Sequence, residues 1–179
     1  MAGILRVDQA NVDVIGPKTA GGTISIPGHV IQVQSSVKTD AFSTNSTSYQ
    51  AIGLSVTITP KFTNSKILVM VSIAAAMGGA GSWHGQLTRN ASVVVQGDAL
   101  GSRRRDSFGS SDTYGNDNTM CSVLNYLDSP GSTSTQTYAI QICAGDGNGT
   151  AHINRPDSDN DNSNGTRCVS TITVMEIAQ

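Results

Sequence analysis

Between Ile52 and Thr59 every second residue is apolar. Ile52, Leu54, Val56 and Ile58 alternate with Gly53, Ser55, Thr57 and Thr59. Successive side chains of a strand point to opposite faces, so this period predicts a half-buried strand with its hydroxyls turned to solvent. Pro60 ends it, because proline brings no N–H to a ladder. The same period recurs along the chain. Ile31, Val33 and Val37 share one face, with Gln32, Gln34 and Ser36 on the other. Tyr138, Ile140 and Ile142 alternate with Ala139, Gln141 and Cys143, and Ile172 and Val174 alternate with Thr171, Thr173 and Met175. Trp83–Arg89 and Ser92–Gln96 predict a hairpin about Asn90-Ala91, and Met120–Leu127 and Ala151–Asn154 two further strands. No segment has convincing helical periodicity. The expectation is an all-β chain, an antiparallel β-sandwich of about eight or nine strands.

One strand breaks the alternation. In Lys66–Ala76, Ile67, Val69, Val71 and Ile73 form one apolar face, and Leu68, Met70 and Ala74 form a second. Four β-branched residues at every second position favour strand over helix. A sandwich strand normally shows its second face to water. Leu68, Met70 and Ala74 are therefore candidates for a subunit interface; the competing cover is the chain's own loops or N-terminal segment. Residues 1–28 read differently, punctuated by Asp, Asn, Gly, Pro and Lys, with a strand-like piece only at Thr23–Ile26. They predict a docking arm ahead of a sandwich domain over 29–179.

Charged residues make up 13% of the chain, against a usual ~25%. The net charge is -2, with no clustered excess of Lys and Arg. Neither nucleic acid nor an anionic membrane is an expected partner. Asp8 precedes any apolar run of signal-peptide length, and the apolar run Ile67–Met77 is too short to span a bilayer, so synthesis in the cytoplasm is expected. Cys121, Cys143 and Cys168 are odd in number and form no CxxC. They read as small buried hydrophobes, with a Cys143–Cys168 bridge open if those strands are neighbours.

Catalytic and cofactor signatures are missing. His29, His84 and His152 sit in no HExxH or GxSxG, and the run Gly78–Gly81 lacks phosphate-loop spacing. The chain is expected to be no enzyme and to carry no cofactor. Asp157, Asp159 and Asp161 could offer oxygen ligands to calcium, although the EF-hand register fails at Asn162 and Cys168. Arg103, Arg104 and Arg105, in the long polar stretch 98–118, could grip a carboxylate on a partner or glycan. Trp83 and Tyr114 complete a set of receptor-contact candidates, Trp83 also fitting a core or interface position.

Several segments together carry a resemblance: Gly28-His29-Val30-Ile31-Gln32-Val33, Phe42–Ser48, Ile52–Pro60, Ser65-Lys66-Ile67-Leu68-Val69, Leu127-Asp128-Ser129-Pro130 and Ser170–Glu176. The chain resembles, over about 28–179, the jelly-roll virion and tail-fibre proteins of marine and cyanobacterial bacteriophages. The resemblance implies a homotrimeric sandwich, similar in outline to tumour-necrosis-factor-like trimers, and no catalytic residue. It implies a structural virion component, a trimeric fibre or tail-associated protein that docks to other virion proteins by its arm and contacts a host glycan. A capsid decoration or head-fibre protein and a free carbohydrate-binding module are the alternatives.

Overall fold

The structure, a computed structural model, describes residues 26–79, 81–111, 118–145, 148–163 and 165–179, with the side chains of 110 and 111 left aside. The receptor-contact candidate Tyr114 and arm residues 1–25 lie outside the described residues. The remainder is all-β, two antiparallel sheets packed face to face, without a helix among the described residues.

Eleven strands are seen among the described residues: β1 (Val30–Lys38), β2 (Phe42–Thr44), β3 (Gln50–Ile58), β4 (Lys66–Gly78), β5 (Ser82–Arg89), β6 (Ser92–Val95), β7 (Phe108–Ser111), β8 (Met120–Asp128), β9 (Gln136–Ala144), β10 (Thr150–Ile153) and β11 (Ser170–Ile177). Two exceed the expectation. β2 and β7 arise in stretches that read as polar loop, because Phe42 and Phe108 pack against the core from them. The first sheet has the order β1-β11-β4-β10-β2, with β8 on the other edge of β4. The second has the order β3-β9-β5-β6, with β7 also on β5.

The core lies between the sheets. Ile67, Val69, Val71, Ile73, Ile172 and Val174 come from one side, and Leu54, Leu87, Tyr138, Ile140 and Ile142 from the other. Burial alternates along β3 as its sequence period demands. A register shift interrupts β3 between Ala51 and Ser55, where Gly53 sits at φ +79°, a conformation glycine adopts without strain. Asn90 and Ala91 both have positive φ, as a two-residue hairpin turn of type I′ requires.

Strand β4 has β8 along one edge and, along the other, β11 followed by β10. The chain leaves this second lane after Ile153 and re-enters at Ser170. The gap falls at Ala74, whose carbonyl accepts from Asn154 N (2.8 Å) and whose N–H donates to Ser170 Oγ (3.1 Å). Asn154 also donates from Nδ2 to the carbonyls of Lys38 (2.8 Å) and Asp40 (3.0 Å), tying the excursion to the end of β1.

Candidate functional site

Strand β5 turns Trp83, Gly85 and Leu87 into the core and leaves Ser82, His84 and Gln86 on the outer face of its sheet. Residues two apart on one face are neighbours, and Ser82 Oγ lies 2.8 Å from His84 Nε2. Segment 97–107 folds back over this face. It is held by Gly97 N to the Asp106 carbonyl (3.0 Å), Ser107 N to the Gly85 carbonyl (2.9 Å) and Arg105 Nε to the Gly97 carbonyl (2.8 Å). That path brings Asp106 Oδ2 to 2.5 Å from His84 Nδ1, and Tyr49 donates its phenol proton to Asp106 Oδ1. Burial, reinforced by the Asp106 carboxylate, pushes the Tyr49 phenol far above its ordinary range, so it stays a donor.

The hydrogen-bond pattern assigns the imidazole tautomer. A carboxylate accepts only, so in the neutral imidazole Nδ1 carries the proton and Nε2 accepts from the Ser82 hydroxyl. Gly145 overhangs the pair: a Cβ there would lie 2.3 Å from Ser82 Oγ and 3.0 Å from His84 Nε2. The Gly145 carbonyl holds Arg104 Nη2 at 3.3 Å, and Arg104 Nη1 reaches Cys143 Sγ at 3.5 Å. Burial pushes the Cys143 thiol up, Arg104 opposing it, so Cys143 is an uncharged neighbour here. Ser82, His84 and Asp106 border a cleft of about 500 Å³ that Asp98, Arg103 and Arg104 also line.

The receptor-contact candidates divide. Arg103 and Arg104 line the cleft, whereas Arg105 turns back onto Gly97. Trp83 is corrected as a contact residue: its indole is fully buried, edge-to-face with Phe108 at 6.0 Å, because odd residues of β5 point inward. The calcium candidates are corrected too. Asp157 Oδ1 is engaged by His152 Nε2 (3.0 Å), and Asp159 takes Arg155 Nη1 (2.9 Å) and Arg167 Nη2 (2.6 Å). Asp157 and Asp159 are thus taken up by neighbours within the chain, and among the described residues, Asp161 included, no group of three acidic, His or Cys side chains could hold a metal. All three cysteines are free thiols, so Cys143 and Cys168 are not bridged. Only Cys143 is buried as expected of a small hydrophobe; Cys121 is exposed and Cys168 half-buried.

A second feature lies on the opposite side of the molecule. Register places the outward residues of the first sheet in three rows: Val33-Met175-Leu68-Leu127, Ser35-Thr173-Met70-Asn125 and Val37-Thr171-Ser72-Val123. None is charged, and Val33, Val37, Met70, Val123 and Leu127 are exposed, from 40% at Met70 to 68% at Val123. Strand β1 turns its valines outward, away from the core, while Gln32 and Ser36 pair beside the buried Glu176 and Ile172. Of the interface candidates, Leu68 and Met70 belong to this face. Ala74 is corrected: it is buried beside the junction of β10 and β11.

Sequence reasoning missed Ser82, Asp106 and Tyr49, and found His84 in no catalytic motif. The only local signal was Ser82-x-His84 within a strand, since Asp106 and Tyr49 arrive from distant loops. Compared with known protein families and with curated proteins, the chain matches none.

Proposed function

We propose that this chain is a structural subunit of a bacteriophage particle that assembles with copies of itself through the outer face of β1-β11-β4-β8. The observation that carries the reading is that face: four strands wide, uncharged, and carrying exposed Val, Met and Leu side chains. Exposed Val, Met and Leu side chains gathered on one uncharged face, interspersed with Ser, Thr and Asn, form the kind of surface that marks interaction sites. Valines turned outward on β1, where Gln and Ser face the other sheet, extend it beyond the doubly apolar β4.

Strand order supports a jelly roll. β1 and β2 share one lane, as do β10 and β11, and as do β6 and β7 along β5. Numbered along the chain, the eight resulting lanes run 1-8-3-6 in one sheet and 2-7-4-5 in the other. Each chain-end lane thus lies beside its opposite end, the wrapping of a two-sheet jelly roll. A homotrimer fits the resemblance to phage fibre and tail-associated proteins. Residues 1–28 would then dock to other virion proteins, and the 97–118 stretch with Arg103 and Arg104 would face a host glycan. A capsid decoration role uses the same parts.

Light scattering and native mass measurement of the intact chain test the assembly. A trimer is expected, and the pair Met70→Glu with Val123→Glu, both exposed, should yield folded monomers. A wild-type chain that stays monomeric at micromolar concentration overturns the proposal.

A further inference from the structure

We propose that Ser82 is an activated nucleophile and that the cleft beside it accepts a short acyl ester of a polar alcohol. This goes beyond the structural role, which needs no such site. The argument is geometric. A serine becomes nucleophilic when a base accepts its proton and a third group orients that base. Here Nε2 is 2.8 Å from Ser82 Oγ and Asp106 is 2.5 Å from Nδ1, with the tautomer that general-base action needs. Tyr49 holds the other carboxylate oxygen, so the orienting group is itself fixed.

The same residue types meet elsewhere in this fold without that competence. Ser43 Oγ lies 2.8 Å from His152 Nδ1, and Asp157 Oδ1 3.0 Å from its Nε2. There Arg155 also donates to Nδ1, at 3.2 Å from Nε and 2.9 Å from Nη2, and the imidazole is buried. The accepting nitrogen is already occupied, and His152 is structural. His84 Nε2, by contrast, has Ser82 as its hydrogen-bond partner, and both residues line the cleft.

The surroundings fit acyl transfer. Glycine at 145 leaves a space beside Ser82 Oγ that any Cβ would fill. Arg104, bonded to the carbonyl of that same glycine, supplies positive charge beside the reacting centre. The cleft wall mixes polar and apolar surface: Asp98 and Arg103 offer hydrogen-bonding groups to hydroxyls of the alcohol part, and Leu100 and Phe108 supply apolar surface. In the first step Ser82 Oγ adds to the ester carbonyl carbon while its proton passes to His84 Nε2. The carbonyl electron pair moves to oxygen and returns as the C–O bond to the alcohol breaks, the alcohol leaving with the proton from Nε2. A water then adds to the acyl-serine, giving its proton to Nε2, and collapse releases the carboxylic acid and the Ser82 hydroxyl. Asp106 and Tyr49 are positioning residues.

The intact protein treated with an alkyl fluorophosphonate provides the test, read by peptide mass. One adduct on Ser82 is expected, absent in Ser82→Ala and formed about 10²–10⁴-fold more slowly in Asp106→Asn. The wild type should hydrolyse p-nitrophenyl acetate with a Ser82-dependent burst. Should Asp106→Asn not fold, Gly145→Ala substitutes for it, since its methyl closes on Ser82 Oγ and His84 Nε2 and should abolish labelling while leaving Asp106 and Tyr49 in place. A folded wild type that remains unmodified at Ser82, or labelling unchanged in folded Asp106→Asn or Gly145→Ala, overturns the proposal. Labelling is read per chain, so its failure is separate from any failure to trimerise.

Discussion

Asp128 shows how this fold treats a buried charge. It ends β8 in one sheet and accepts from Arg89 Nη1 (2.5 Å) and the Tyr138 hydroxyl (2.7 Å) in the other, with Ser129 N (2.8 Å) on its second oxygen. Burial, reinforced by Asp128, pushes the Tyr138 phenol above its ordinary range and keeps it a donor. Removing one partner of a buried pair strands the others, so Asp128→Ala should cost about 3–5 kcal/mol in urea unfolding at neutral pH. Asp128→Asn, which keeps an acceptor oxygen, should cost less. Glu176 is the second case. Burial alone would raise its pKa, but Gln32 Nε2 (2.6 Å) and the N–H groups of Lys61 (2.7 Å) and Phe62 (3.3 Å) overcome it and hold the carboxyl below 4.5. A depressed carboxyl stabilises the fold above its unfolded value, and that stability is lost as pH falls through the folded value. Acid titration of stability should therefore show a loss beginning near pH 4.5 that Glu176→Gln removes.

Among the elements, β5 is paired on both edges, with β9 on one and with β6 and β7 on the other. Gly85 lies under the Phe108 ring, where a Cβ would approach to 2.4 Å. Gly85→Ala should cost about 1–3 kcal/mol by overpacking, and much of that loss should disappear in the Phe108→Ala background. The β5–β6 turn carries strain of the opposite kind. Asn90 suits its left-handed position, donating from Nδ2 to Gln136 Oε1 (3.0 Å) and accepting from Thr137 N (2.9 Å). Ala91, at φ +68°, has no such compensation. Ala91→Gly should raise stability by about 1 kcal/mol in thermal or urea unfolding, because glycine adopts that conformation without a Cβ penalty. Both effects concern glycine positions, and only the second turn residue could be judged from the sequence: Asn90-Ala91 announces a hairpin, whereas nothing near Gly85 announces Phe108.

At the scale of the whole molecule, the two sheet faces turned away from the core differ. One carries the Tyr49-Asp106-His84-Ser82 chain under a folded-back segment; the other is open and uncharged. Four strands about 4.8 Å apart and three outward rows about 7 Å apart define a surface on the order of 400 Å². That lies within the range of the largest patch on a typical monomer and below the roughly 800 Å² per partner of a standard interface. In the proposed assembly it would form the centre of an interface completed by its rim, and the melting temperature should then rise with protein concentration for the wild type. In the Met70→Glu, Val123→Glu pair it should be independent of concentration.

Period two in the sequence was sufficient for the all-β class and for most strands, β3, β4, β9 and β11 above all, because alternation is a property of consecutive residues. It also marked β4 as apolar on both faces. It could not say which face of β1 turns inward: a period defines two faces, and the partner strand selects between them. Pairing with β11 set Gln32 beside Glu176 and left Val33 and Val37 outside. It likewise could not place Trp83 in the core or bring Asp106 and Tyr49 to His84, since those contacts join residues 22 and more positions apart through loop closure. The strands were written in local order; the facing of β1 and its uncharged outer rows exist only once β1 has paired with β11, and the Ser82-His84-Asp106 chain only once segment 97–107 has folded back over β5.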